Sequence, residues 1–251
     1  VVPLVVGGVA WANELAKRGY VVLVPDTFLF GSRRIRAADV PERIRKEAVD
    51  PAIDDQAGVA LYNTFATQHE HIVAKSLFSA GTSVPGMFVV EDQRSLDVLC
   101  GRPDVDATRV GCCGLSGGGL RSVFLGGLDD RIRCAVPVGF MTTWRDLVLD
   151  RSFTHTWMAY VPGLPRDLDF PEILALRAPA ATLVLNCTAD PLFTLPEMQR
   201  ADRILGETFT RAGAADRYRG SFHPGGHKFD LAMQREAFEW FERHLGPAGG
   251  R

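Results

Sequence analysis

Ser116 stands in the stretch "GCCGLSGGGL", with Gly114 two residues before it and Gly118 two after. The apolar run Val110–Cys113 precedes it, and a segment of helical character, 118–127, follows. A serine at a sharp strand-to-helix turn is forced into strained dihedrals, and small neighbours let the crowded backbones pass. Its hydroxyl is then presented at the C-terminal end of the strand, with a helix N-terminus behind it that favours negative charge. That is the setting of a nucleophile. A glycine-rich turn with an incidental serine is the plainer reading. A phosphate-cradling loop would end in Lys-Ser/Thr, which this stretch lacks.

A serine hydroxyl is a weak nucleophile until a base takes its proton, and the base needs a carboxylate to orient it. With a strand-turn-helix serine the expected chain order is Ser, acid, His. Asp190 fits the second place, because "NCTADPLF" follows the apolar run Ala181–Asn186 and a strand end would aim it at the same edge. Asp167 and Asp169, ahead of a proline, read as loop and cap residues. Two histidines compete for the third place in "SFHPGGHKFD". His227 follows Pro-Gly-Gly on a loop before the last helix and is free to reach Ser116, so it is the stronger candidate. His223 ends a strand and reads as a packed residue. His69 and His71 are two apart, poorly spaced for shared ligation on a helix. His244 sits near a helix C-terminus, where a cation is mildly favourable. His155 is a weaker candidate for a pocket wall. No metal and no cofactor is expected.

The elements that would position these groups alternate along the chain. Val1–Val6 is a candidate strand, "ANELAKRGY" a helix stopped at Gly19, and Tyr20–Asp26 a strand covered on both faces. "YNTFATQHEHIVAKSLF" and the stretch from about Met87 to Leu99 read as helices. Beyond the serine come helix 118–127, strands "RCAVPVGF" and "ATLVLN", a helix after Leu195 and the short strand "YRGSF". In the last helix Met233, Ala237, Phe241 and Leu245 share one face. Such alternation predicts an α/β domain with a mostly parallel, doubly wound sheet and helices on both sides. One domain over 1–251 is expected, with irregular segments at about 33–85 and 141–170.

Bulk composition narrows the classes. Across 251 residues, 46% are hydrophobic, and 28 basic residues nearly balance 30 acidic ones. That balance gives no sign of a nucleic-acid or membrane-surface partner, and no apolar run approaches the ~20 residues of a membrane span. Self-association into a homo-oligomer is compatible with it. The five cysteines form no CxxC pair and read as reduced, buried thiols, which points to the cytoplasm. "VVPLVVGGVA" has no basic leader and makes a poor signal peptide.

Beyond these readings, "WANELAKRGYVVLVPD", "GRPDVDATRVGCCGLSGGG", "PGLPRDLDFPEILALRAP" and "GGHKFD…REAFEWFERHL" resemble the dienelactone-hydrolase-like and acetyl-xylan-esterase-like branch of the α/β-hydrolases. The resemblance runs through nearly the whole chain. It implies Ser116 as nucleophile, Asp190 as acid and His227 as base. Dienelactone hydrolases carry cysteine at the nucleophile position, so the serine implies ordinary ester cleavage. The family usually has further strands ahead of Val1. It also has a loop between the first parallel strand and the first helix that gives one N–H to the oxyanion hole. Here Gly7-Gly8 run almost directly into that helix. Gly117 would give one donor, and Gly8 or Gly7 is the candidate for the second.

The implied activity is hydrolysis of an acetyl or other short acyl ester, including one carried on a carbohydrate, through an acyl-enzyme. Phe28, Phe30, Phe140, Met141, Trp144 and Trp157 are candidates for the substrate pocket, with plain core packing as the alternative for each. The basic stretch Arg33–Lys46 reads as a solvated face before it reads as a site for an acidic substrate. A serine peptidase of the prolyl-oligopeptidase kind, or a non-catalytic binding protein of the same fold, are the competing classes.

Overall fold

The computed structural model describes residues 6–52 and 54–246. In chain order its helices and strands are α1 Trp11–Lys17, α2 Glu42–Arg45, α3 Gln56–Ser79, α4 Val84–Cys100, β1 Val110–Leu115, α5 Gly117–Leu128, β2 Ile132–Val138, α6 Leu164–Asp167, α7 Phe170–Ala175, β3 Ala181–Cys187, α8 Leu195–Arg211, β4 Tyr218–His223 and α9 Leu231–Leu245. Apart from Val6, the candidate strand Val1–Val6 lies outside the described residues. The chain divides into two compact units. One comprises the residues up to Leu23, Val89–His155 and those from Val161 on; the other comprises Val24–Phe88 and Thr156–Tyr160.

The first unit is built on a four-stranded sheet in the order β1-β2-β3-β4, every pair parallel. Parallel neighbours cannot be joined by a tight turn, so each connection carries a helix back over the sheet. Strands buried on both faces read as near-continuous apolar runs, and every residue of β3 is buried, its Thr182 and Asn186 included. α9 lays Met233, Ala237, Phe241 and Leu245 against the core formed with Val136, Val138, Leu183 and Leu185, as the i, i+4 spacing predicts. Each such large apolar side chain contributes roughly 1.5–3 kcal/mol by leaving water. The sheet and its flanking helices form the parallel α/β layer that the alternation of elements predicts.

A cationic side chain is enclosed beside this core. Arg177 is 7% exposed. Its guanidinium donates to the carbonyls of Gly126, Ile132, Ala180 and Ala181 and to the Thr182 hydroxyl. It ties the end of α5 to the starts of β2 and β3. Asp169 caps α7 in a capping box with Glu172, which is the cap role expected of it.

The expected strand at Tyr20–Asp26 is not formed. The segment pairs with no strand among the described residues, and Val21, Leu23 and Val24 are exposed. A β-branched run becomes a strand only where cross-strand neighbours cover it, because the preference reflects packing rather than the backbone itself.

The second unit is organised around α3, whose N-cap Asp55 accepts from the Gly58 amide. Tyr62 donates to the Leu29 carbonyl at 2.6 Å and accepts from the Ile35 amide at 2.9 Å. These bonds hold Leu29 at φ 78°. Glu70 accepts from the Thr156 hydroxyl and the Trp157 amide. Arg43, Arg45 and Lys46 are exposed to solvent. Among the described residues no single helix is long and apolar enough to cross a membrane.

Replacing Arg177 with methionine keeps much of the volume but strips donors from four carbonyls. The expected result is a loss of about 3 kcal/mol or more. Urea unfolding should show it as a lower midpoint with an unchanged slope.

Candidate active site

A single residue joins β1 to α5, and it is Ser116, at φ 59° and ψ −119°. Its amide donates to the Val138 carbonyl at 2.9 Å, so strand pairing runs one residue past β1 before the helix begins. A non-glycine residue at this φ costs on the order of 1–3 kcal/mol, and such strain gathers at functional sites. The close pass is between Gly114 and the backbone of Gly118, because a Cβ on Gly114 would lie 2.5 Å from the Gly118 carbonyl carbon. At the other small position, Gly118, a Cβ would meet nothing within 4 Å, so it is the backbone of Gly118 and not a side chain there that makes the close pass. The second demanding position is Gly119, whose Cβ would come 2.4 Å from the Val138 carbonyl oxygen.

The strand ends step along one edge. Gly139 N–H bonds the Leu185 carbonyl, Thr188 N–H bonds the His223 carbonyl, and Ala189 N–H bonds the Gly225 carbonyl. This ladder carries the loop after β3 and the loop after β4 to the edge where Ser116 stands. There His227 Nδ1 donates to Asp190 Oδ2 at 2.7 Å. The Asp190 side chain is 1% exposed and that of His227 19%. Asp190 Oδ1 also accepts from the Leu192 amide at 3.0 Å. His227 Nε2 is buried with no hydrogen-bond partner. The ring rests against Gly139, at φ 60°, whose Cβ would come 3.0 Å from His227 Cε1. Gly139 directly follows Val138, the residue that Ser116 bonds.

The rival histidine is occupied. His223 Nε2 pairs with Glu236 Oε2 at 2.9 Å, and Ser221 donates to the other oxygen of that carboxylate. His244 departs from the expectation of a favoured cation. Burial first, then Arg217 and Arg243 nearby, hold it below the usual imidazole range. Burial pushes the Cys112 thiol up to about 12 and raises Cys113 well above its ordinary value, so neither supplies a thiolate beside Ser116.

The Asp190 loop is backed by two further groups, Asp146, which sequence reading passed over, and His155, the weaker candidate for a pocket wall. Asp146 is fully buried and accepts from the Thr142 hydroxyl at 2.6 Å and from both the amide and the hydroxyl of Thr194 at 3.0 Å. His155 Nε2 bonds the Leu192 carbonyl at 3.2 Å, and its ring stacks on Phe193. Burial holds its pKa below the usual value. Nothing in the spacing of Asp146 marks it, because its partners are a threonine four residues on one side and a helix cap 48 residues away.

The candidate pocket residues divide between the two units. Phe140, Met141 and Trp144 are buried in the first, where Phe140 and Trp144 both pack on Phe170. Phe28 and Trp157 belong to the second. There Phe28 borders a cavity of about 20 Å³ and Trp157 meets the edge of Phe78. Gly117 opens α5, where an amide has no intrahelical acceptor. Gly8 is exposed and Gly7 half-buried. Among the described residues no group of three or more His, Cys, Asp or Glu could hold a metal.

No protein-family model matches the chain. It is 27% identical over 237 residues to "Putative hydrolase YtaP" of Bacillus subtilis (strain 168), covering 94% of this chain and 69% of that protein. Among solved structures it is similar to a glucuronoyl esterase from Solibacter usitatus, at TM-score 0.55 and 18% identity over 65% of this chain and 50% of that one. A glucuronoyl esterase of carbohydrate esterase family 15 from Caldicellulosiruptor kristjansonii matches at TM-score 0.54 and 14% identity, over 87% and 60%. A promiscuous esterase of the same family from a marine bacterial metagenome matches at 0.54 and 17%, over 65% and 49%. The chain thus spans about half to three fifths of the length of these structures.

Two predictions follow from this geometry. Gly119→Ala and Gly114→Ala should each cost more than about 3 kcal/mol or leave no soluble protein, whereas Gly118→Ala should change the thermal midpoint by no more than a few degrees. The second concerns acid. With His155 and His244 both held below about 6.5, the unfolded chain binds protons there that the fold does not. Stability therefore falls as pH drops below about 6.5. Urea midpoints at pH 7.5 and 5.5 should record that fall, and His244→Gln should shrink it.

Proposed function

We propose that this chain hydrolyses a carboxylic ester through an acyl-enzyme, with Ser116 as nucleophile, His227 as base and Asp190 as the orienting acid. One observation carries the reading. The Asp190–His227 hydrogen bond fixes the imidazole by its Nδ1 and leaves Nε2 buried and unpartnered, beside the residue that follows Ser116's own backbone partner. A neutral imidazole held in that way has a lone pair for one proton.

His227 Nε2 takes the Ser116 proton as the oxygen attacks the ester carbonyl. Asp190 stabilises the imidazolium that forms and keeps its own charge. The Gly117 amide stabilises the developing oxyanion, and Gly8 supplies the second donor. His227 then protonates the leaving alcohol and, in the second half, activates the water that releases the acid. No cofactor enters these steps.

The substrate we favour is a short acyl or uronoyl ester on a carbohydrate, supported by the likeness to glucuronoyl esterases and other esterases of carbohydrate esterase family 15. Five free thiols fit a reducing, cytoplasmic setting.

Ser116→Ala should lower hydrolysis of p-nitrophenyl acetate by at least about 10³-fold and abolish labelling by a fluorophosphonate. His227→Ala should lose a similar factor, and His223→Ala less than about tenfold. Wild-type protein inert to an acyl-chain series and to the fluorophosphonate would overturn the reading.

A further inference from the structure

Gln234, on the first turns of α9, is 2% exposed. It is the one uncharged amide side chain enclosed against the apolar core face of that helix, and both bonds recorded for its Nε2 go to main-chain carbonyls. One is the Val6 carbonyl and the other the Phe229 carbonyl, each at 2.8 Å. Phe229 lies two residues beyond His227. Val6 opens the turn that contains Gly7 and Gly8, at φ 66° and 74°, and the Val6 carbonyl also receives the Val9 amide.

The same turn touches α9 a second time. A Cβ on Gly7 would come 3.1 Å from both the amide nitrogen and the Cγ of Leu231, the first residue of the helix. The turn therefore lies directly on the N-terminus of α9, where the histidine loop ends. Gly8 is exposed, and among the described residues its amide makes no hydrogen bond. Two consecutive glycines at positive φ have little stiffness of their own. What aims them is the anchor on the carbonyl before them.

We infer that Gln234 is a positioning residue for ester hydrolysis, clamping the Gly7-Gly8 turn to the histidine loop so that the Gly8 amide is held as an oxyanion donor. This rests on the esterase reading above. The chemistry requires a side chain with at least two hydrogens on one nitrogen and no negative charge. Aspartate or glutamate would repel both carbonyls, and asparagine is one methylene too short to span them. A donor loosened in this way acts only on the transition state, so the effect falls on kcat and spares KM.

The test uses Gln234→Met, of similar volume without donors, and Gln234→Lys, which keeps donors at similar reach. Rates on p-nitrophenyl acetate are expressed per fluorophosphonate-labelled site, which removes any misfolded fraction. Gln234→Met should lower kcat about 30-fold or more with KM within twofold. It should weaken inhibition by a trifluoromethyl ketone, a tetrahedral-adduct mimic, by the same factor, and leave the midpoint of the pH–rate profile in place. Gln234→Lys should recover part of the loss. Combined with Gly8→Ala, the two losses should be less than multiplicative.

An unchanged kcat per labelled site, a loss confined to KM, or fully multiplicative losses would overturn the assignment. A shifted pH midpoint would do so too, since it would place the effect on His227. Failure of the esterase reading would appear separately, as wild-type protein that neither turns over nor labels.

Discussion

The bond from the Ser116 amide to the Val138 carbonyl is the constraint on which the rest of the site depends. It holds the chain in strand pairing one residue longer than β1 itself, so the reversal into α5 must be made at a single residue. That residue takes up the positive φ, and the backbone of Gly118 is driven against Gly114. Everything else at this edge is arranged around the same carbonyl. Gly119 passes over it, and Gly139 follows it and gives His227 its seat. The strain at Ser116 is thus maintained by a parallel ladder in which β2 and β3 are buried nearly throughout, and such a ladder does not relax locally.

The loop that carries Asp190 shows how buried polar groups serve precision. Asp190 is enclosed, so its carboxylate needs both oxygens occupied, and Leu192 and His227 occupy them. The loop is then fastened farther on, through Leu192 to His155 and through Thr194 to Asp146. Each fastening satisfies a group that would be costly to leave bare away from water. The result is a carboxylate with little freedom to turn, one of whose oxygens faces His227 Nδ1.

Much of this was legible in the sequence, for local reasons. β1 and α5 around Ser116, the strand before Asp190 and the Pro-Gly-Gly loop before His227 are each set by neighbours within ten residues. The face of α9 follows from spacing alone. Elsewhere the decisive neighbours are distant. Tyr20–Asp26 has strand composition but finds no strand beside it among the described residues. Gly118 looked as necessary as Gly114, yet which of two adjacent glycines meets the Val138 oxygen depends on a strand twenty residues away. Asp146 and Gln234 carry no motif, because their meaning lies in carbonyls and hydroxyls that only the folded chain assembles.

Arg177 has a consequence of a different kind. One planar cation holds the exit of α5 and the entries of β2 and β3 together by hydrogen bonds to five acceptors. None of these three pieces can peel away without stranding the guanidinium in an apolar interior. The middle of the sheet therefore opens as a block or not at all. Its amides share one slow clock for exchange with solvent.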